Sequence, residues 1–245
     1  MSARRYVYDA PEAAAGACAK NIANMLEGIL TRAPAATLAI SGGSTPRRMF
    51  EFLAGAAIDW SRVHLFWVDE RAVPPSNPQS NYLTAEQALI RPAQIPPKNV
   101  HRIRAELPPE EAAETYADEI RTYFHLEKDE LPAFDVIHCG MGADAHTASL
   151  FPGEPLIEDG AKIAAAVYVK KLAQHRITLL PGVLRKAVRV VFLVSGEDKR
   201  AALRTVFEAP YDPREYPAQL VARGGGKGDV LWFLDRAAAG PADER

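Results

Sequence analysis

The chain has little cysteine, no long apolar run and almost no net charge, and each shortage removes a class of function. Cys18 and Cys139 are the two thiols in 245 residues. They stand far apart in apolar stretches, which predicts buried reduced thiols and a cytoplasmic setting rather than a disulfide framework. No segment approaches the roughly 20 consecutive apolar residues of a membrane span. Met1-Ser2-Ala3-Arg4-Arg5-Tyr6 carries basic residues with no apolar core or cleavage-like site behind them, so no secretory leader is expected either. A formal net charge of -2 gives no whole-surface field to gather nucleic acid or an anionic bilayer. Any anion site must therefore be a local cluster.

What is present fits one large α/β domain over residues 1–245, with 48% apolar and 24% charged residues. Apolar β-rich runs at Thr37 to Ser41, Val63 to Val68, Phe134 to Gly140, Ala164 to Val169, Arg189 to Val194 and Val230 to Leu234 alternate with helical stretches. That alternation predicts a mostly parallel sheet with helices on both faces. Asp9-Ala10-Pro11-Glu12 reads as an N-cap with proline in the first turn of a long helix towards Leu30. Pro108-Pro109-Glu110-Glu111 opens a second helix to about Leu126. Pro74, Pro75 and Pro78 make 71–81 an ordered surface loop, and Gly224-Gly225-Gly226-Lys227-Gly228 a flexible one. Gly240 to Arg245 reads as a frayed tail.

Three strand ends carry chemistry. Ser41-Gly42-Gly43-Ser44-Thr45-Pro46 runs from a strand into two glycines, two hydroxyls and a proline suited to a helix's first turn. Glycines let backbone N–H groups approach an anion, and the helix N-terminus adds partial positive charge, so phosphate is the natural guest of Gly42, Gly43, Ser44 and Thr45. The competing reading is a tight turn with Thr45 as N-cap. The segment is neither a Walker loop nor a dinucleotide fingerprint, so it supports neither ATP nor NAD. Trp67-Val68-Asp69-Glu70-Arg71 ends a second strand, where Arg71 suits a bidentate phosphate contact unless it pairs internally with Asp69 or Glu70. Arg176 and Lys199 are further candidate cations. Lys199 falls in a helix's first turn, where the dipole disfavours positive charge, so a facing anion would explain it.

The third strand end is Gly140-Met141-Gly142-Ala143-Asp144-Ala145-His146-Thr147-Ala148-Ser149-Leu150-Phe151-Pro152-Gly153. A neutral imidazole can take a proton from water near neutral pH, and a nearby carboxylate can orient it, so Asp144 and His146 are the candidate catalytic pair. A structural loop histidine is the alternative. Ser149 lies three residues beyond His146 and no G-x-S-x-G elbow occurs, which argues against a serine nucleophile. Asp144, His146, His138 and Asp69 have no recognised metal-ligand spacing, and His138 falls inside a strand where burial explains it, so no metal is expected.

In combination these motifs resemble those of the 6-phosphogluconolactonases, relatives of the glucosamine-6-phosphate deaminases, over nearly the whole chain. The resemblance rests on Ser41 to Pro46, Val68 to Arg71, Gly140-Met141-Gly142 with Asp144, His146 to Gly153, Arg176-Ile177-Thr178-Leu179 and Leu231-Trp232-Phe233-Leu234-Asp235. It implies a Rossmann-like three-layer α/β sandwich and cofactor-free hydrolysis of 6-phospho-D-glucono-1,5-lactone in the pentose phosphate pathway. The implied partner is a small sugar-phosphate lactone, with no nucleic acid and no membrane, and a monomer is the default. Deaminases carry an acid five positions after the histidine, where this chain has Phe151, and a tyrosine where it has Arg71. The chain departs from the usual lactonase pattern at Ala143-Asp144-Ala145-His146, where Glu-Asp-Gly-His is typical. A positive φ at Ala145 would cost on the order of 1 kcal/mol or shift His146, whereas a negative φ would be silent. Deaminase chemistry and non-catalytic sugar-phosphate binding remain the alternatives at this level.

Overall fold

A continuous apolar run that is buried on both faces belongs in the middle of a parallel sheet, and four segments of this kind organise the molecule. The computed structural model describes residues 3–222 and 228–240. Its strands are β1 (Ala3–Tyr8), β2 (Ala36–Ile40), β3 (Val63–Trp67), β4 (Asp69–Arg71), β5 (Val100–His101), β6 (Val136–Cys139), β7 (Ala164–Val169), β8 (Gln174–Leu179), β9 (Arg189–Val194) and β10 (Asp229–Asp235). The helices are α1 (Pro11–Leu30), α2 (Ser44–Ala54), α3 (Asn81–Ala85), α4 (Pro109–Phe124), α5 (Pro181–Lys186), α6 (Arg200–Glu208), α7 (Gln219–Ala222) and α8 (Arg236–Ala239). Seven strands form one parallel sheet in the order β1-β10-β9-β6-β2-β3-β5. All residues of β2 and β6 are buried, as are nearly all of β9 and β10.

Helices flank this sheet as the alternating pattern requires. The α1 stripe Ala14, Cys18, Ile22 and Leu26 is fully buried, at helical spacing, and α1 packs on α2, β9 and β10. The Tyr116 hydroxyl of α4 bonds both the N–H and the carbonyl of Trp67, where β3 leaves the sheet. Cys18 and Cys139 are free and buried. No helix among the described residues is long and apolar enough to cross a membrane.

Three local expectations are corrected. Ala164–Val169 is a strand, but it lies in a second, antiparallel sheet of order β4-β8-β7. A single turn, Lys170–Leu172, joins β7 to β8, and a hairpin needs no crossover helix. Asp9 does not cap α1: the N-cap is Ala10 with no side-chain bond, and Asp9 instead pairs with Arg236 at 2.6 Å. Thr45 does not cap α2, whose N-cap is Gly43. The glycine-rich loop expectation falls mostly on 223–227 and the tail expectation on 241–245, outside the described residues.

Candidate active site

Strands β2 and β6 are neighbours, yet the chain proceeds from β2 towards β3 and β5 on one side and from β6 towards β9 and β10 on the other. Such a reversal opens a crevice beyond the carboxyl ends of the two strands. Those ends carry Ser41-Gly42-Gly43 and Gly140-Met141-Gly142, the segments that sequence singled out. A cavity of about 220 Å³ lies there. Gly42, Gly43, Ser44, Thr45, Asp69, Arg71, His146, Arg176 and Lys199 all line it, while Asp144 lies behind His146.

The cradle side gathers backbone N–H groups and cations. Gly43 has φ +119° and caps α2 without a side-chain bond, so the first N–H groups of that helix have no intrahelical partner. A Cβ on Gly42 would stand 2.1 Å from the Asn81 Oδ1, so only glycine lets β2 run this close to α3. Arg71 and Arg176 are register partners in the β4–β8 pair, which sets two guanidinium groups side by side. Neither pairs with Asp69 or Glu70 through its side chain. Arg71 Nη1 donates to the Gln79 carbonyl at 2.5 Å, and Nε of both arginines is buried without a partner among the described residues. Burial pulls the Arg176 guanidinium below its usual pKa. Lys199 closes the turn that precedes α6 and is three-quarters buried, 2.9 Å from Asp198.

Glu70 holds this edge in place. Its buried carboxylate accepts from the N–H groups of Arg71, Asn81 and Tyr82 at 2.8, 2.7 and 2.7 Å, and from the Ser80 hydroxyl at 3.1 Å. Burial raises its pKa while those backbone donors pull it back. The proline-rich loop 71–81 is thereby pinned at both ends, as an ordered loop should be.

On the other side, His146 Nδ1 lies 2.5 Å from Asp144 Oδ1, which also accepts from the His146 N–H at 3.2 Å. A carboxylate can only accept here, so the proton sits on Nδ1 and Nε2 keeps its lone pair. The Gly142 N–H donates to the His146 carbonyl at 2.9 Å and the Ala145 N–H to the Gly142 carbonyl at 3.0 Å. A Cβ on Gly142 would lie 2.0 Å from Nδ1, so the ring packs directly on bare backbone. The Phe151 ring lies 4.2 Å from the imidazole. Burial pushes His146 down to about 4; Asp69 opposes this, while Arg176, Lys199 and Arg71 add to it. At neutral pH the ring is therefore an uncharged acceptor.

Ala145 adopts φ +62° and is buried. The positive φ of the sequence expectation is the observed one, and an alanine holds this left-handed position. Its carbonyl accepts from Ala218 N–H at 2.9 Å, tying the turn to the segment before α7.

Ser149 is buried and donates to Asp69 Oδ2 at 2.6 Å, so it is engaged away from His146 and is not poised as a nucleophile. His138 is wholly buried, with both ring nitrogens unpartnered among the described residues, and burial pushes it down to about 3. Among the described residues no three His, Cys, Asp or Glu side chains gather as metal ligands. Sequence reasoning missed Asn81, Ser195 and Lys171. Asn81 and Ser195 line the cavity, and Lys171 pairs with the second oxygen of Asp144. Asn81 ends the proline-rich loop and Ser195 directly follows the strand Arg189 to Val194, which was a usable signal. Lys171 lies 27 positions from Asp144 and gave none.

The family model described as glucosamine-6-phosphate isomerases/6-phosphogluconolactonase matches residues 9–232. The 6-phosphogluconolactonase of Synechocystis is 39% identical over 203 residues, covering 82% of each chain. The human 6-phosphogluconolactonase is 38% identical over 208 residues, 82% of this chain and 79% of that one. The crystal structure of 6-phosphogluconolactonase from Thermotoga maritima superposes with a TM-score of 0.82 at 29% identity, covering 96% of this chain and 100% of that one.

Proposed function

This chain belongs to the glucosamine-6-phosphate isomerase and 6-phosphogluconolactonase family, and from that premise we propose that it hydrolyses 6-phospho-D-glucono-1,5-lactone to 6-phosphogluconate with His146 as general base. The observation that carries the residue assignment is the meeting in one cavity of an oriented, uncharged imidazole and two facing arginines, neither of which makes a side-chain ion pair among the described residues.

The 6-phosphate sits on the Gly42-Gly43-Ser44-Thr45 backbone and hydroxyls, facing Arg71, Arg176 and Lys199. Anchoring that end fixes the lactone carbonyl near His146, so binding energy is spent on orientation. Nε2 removes a proton from a water whose oxygen attacks C1. The carbonyl π bond opens and its electron pair becomes an alkoxide on the former carbonyl oxygen. Backbone N–H groups of the loop stabilise that charge. The oxyanion then re-forms the carbonyl, the C1–O5 bond breaks, and the ring oxygen leaves with the proton carried by Nε2. Asp144 holds Nδ1–H throughout and stabilises the transient imidazolium. No step requires a redox or group-transfer partner.

Phe151 opposes deaminase chemistry: it fills the position beside His146 with an apolar ring and offers no carboxylate. A cytoplasmic monomer is part of the same reading, and the two free buried thiols fit a reducing compartment.

The test is hydrolysis of freshly generated lactone, coupled to oxidation of the product and measured above the uncatalysed background, with glucosamine-6-phosphate deamination run in parallel. Lactone turnover lost in His146→Ala, with 6-phosphogluconate affinity retained, is the expected result. Deamination, or product binding without turnover in the parent chain, would overturn it.

A further inference from the structure

The Asp144 carboxylate has two oxygens and they face different ways. Oδ1 takes His146 Nδ1–H, while Oδ2 takes the ammonium of Lys171, which comes from the turn Lys170–Leu172 of the β7–β8 hairpin. Lys171 is half-exposed and is not among the residues that line the substrate cavity. Its ammonium also lies 4.5 Å from the Phe151 ring centroid, and that ring lies against the imidazole. Thus two contacts, one ionic and one cation–π, hold a single lysine on the far side of the dyad from the substrate.

We propose that Lys171 is a positioning residue: it locks the Asp144 carboxylate against His146 Nδ1 and offsets part of the carboxylate's charge, so that Asp144 orients the imidazole while pulling less strongly on its proton. The proposal rests on the assignment of His146 as the base. An unshielded carboxylate in hydrogen-bond contact favours imidazolium, which cannot accept a proton from water. A carboxylate shared with an ammonium still fixes the tautomer, because the hydrogen bond to Nδ1 survives, but it pulls less strongly on the proton. The same β7–β8 hairpin carries Arg176, so one element supplies a cation to the substrate side and a cation to the rear of the dyad.

His146 feels charge from every element around it, and the prediction must be read against all of them. Asp144 lies on its own loop; Asp69 and Arg71 come from β4, Arg176 from β8, and Lys199 from the turn before α6. Of these groups only Asp144 touches Lys171, so the difference between variants reads the Lys171–Asp144 contact.

The experiment compares the full-length protein with Lys171→Met and Lys171→Arg by proton NMR titration of the His146 ring Cε1–H, identified by its loss in His146→Gln. Lys171→Met should titrate higher than the parent by about half a pH unit or more, and Lys171→Arg should return to the parent value. Raising salt to about 1 M should move the parent towards Lys171→Met, because a half-exposed pair is screened. In the lactone assay, Lys171→Met should lose kcat several-fold with KM little changed, and the acid limb of kcat/KM should move to higher pH. An unchanged titration in Lys171→Met overturns the proposal, whether or not kcat falls, as does a rise in KM with kcat intact. If the parent chain fails to hydrolyse the lactone, the functional reading falls, and the NMR comparison still decides the role of Lys171.

Discussion

Arg71 and Arg176 stand opposite one another on the antiparallel β4–β8 pair, with Nε of each buried and, among the described residues, unpartnered. Like charges in that relation destabilise a sheet pair, and the proposed phosphate would relieve that repulsion by binding both. Arg176→Ala and Arg71→Ala should each raise KM about 10- to 100-fold, the range of one charge-assisted contact, while kcat changes far less. Lysine at either position should restore only part of the affinity, because it cannot present two parallel N–H donors. Steady-state kinetics, with inorganic phosphate as competitor, checks this. A fall in kcat at constant KM would place the arginines at the reacting carbonyl instead.

Removing the base should have the opposite signature. His146→Ala should lower kcat about 10²- to 10⁴-fold, the usual contribution of a positioned base, and leave the dissociation constant of 6-phosphogluconate nearly unchanged. Isothermal titration with the product separates the two parameters.

The acid limb offers a sharper check. In the free enzyme burial and the cations Arg176, Lys199 and Arg71 hold His146 down at about 4, so kcat/KM should remain level as pH falls from 7 and drop only near that value. A bound phosphate dianion neutralises those same cations and favours the imidazolium. The acid limb of kcat, which reports the enzyme–substrate complex, should therefore lie at higher pH than that of kcat/KM. Coincident limbs would mean that the phosphate does not sit among these cations.

How much of this was legible in the sequence depends on range. The strand ends at Ser41, Asp69 and Gly140 could be read because apolar runs and glycines are local signals, and the α/β class follows from their alternation. Arg71 facing Arg176 could not be, because a register is set by how two distant segments pair. Ala164–Val169 was assigned to the parallel sheet for the same reason: its composition is that of a strand, and only the short turn at Lys170–Leu172 makes it half of a hairpin. Ala145 was the reverse case. The sequence posed the question of its φ, and the turn that sets it is tied to Ala218, which lies outside any local window.

Ala145 gives a stability prediction. With φ at +62°, its Cβ costs on the order of 1 kcal/mol relative to glycine, partly offset by the greater entropy glycine restores to the unfolded chain. Ala145→Gly should be neutral to stabilising by up to about 1 kcal/mol, a rise of at most about 2–4 °C in Tm, with kcat kept. Ala145→Val, β-branched in the left-handed region, should destabilise the fold and depress kcat together. Thermal melts alongside the lactone assay test the pair. A kcat loss in Ala145→Gly would show that the strained alanine itself sets the position of His146.

Acid sensitivity should trace to His138 more than to the surface. This ring is fully buried with no partner for either nitrogen among the described residues, and burial holds it at about 3 against 6.5 for the unburied group. The unfolded chain takes up a proton as pH falls below 6.5 and the folded chain does not. Stability is therefore fully present above 6.5 and declines down to about 3, with this one residue contributing up to about 1.4 kcal/mol per pH unit. His64, lowered chiefly by burial and by the neighbouring His101, adds a drift of the same sign below 6.5. Because His138 makes no hydrogen bond and its ring packs edge-on against Phe50, an apolar side chain of similar size should replace it at little cost near pH 8. His138→Leu should accordingly match the parent within about 1 kcal/mol at pH 8 and lose stability less steeply below pH 6.5, by as much as that slope. Urea denaturation from pH 8 to 4.5 measures both curves. If the two remain parallel throughout, the buried imidazole carries its proton in the folded state and another group must account for the acid response.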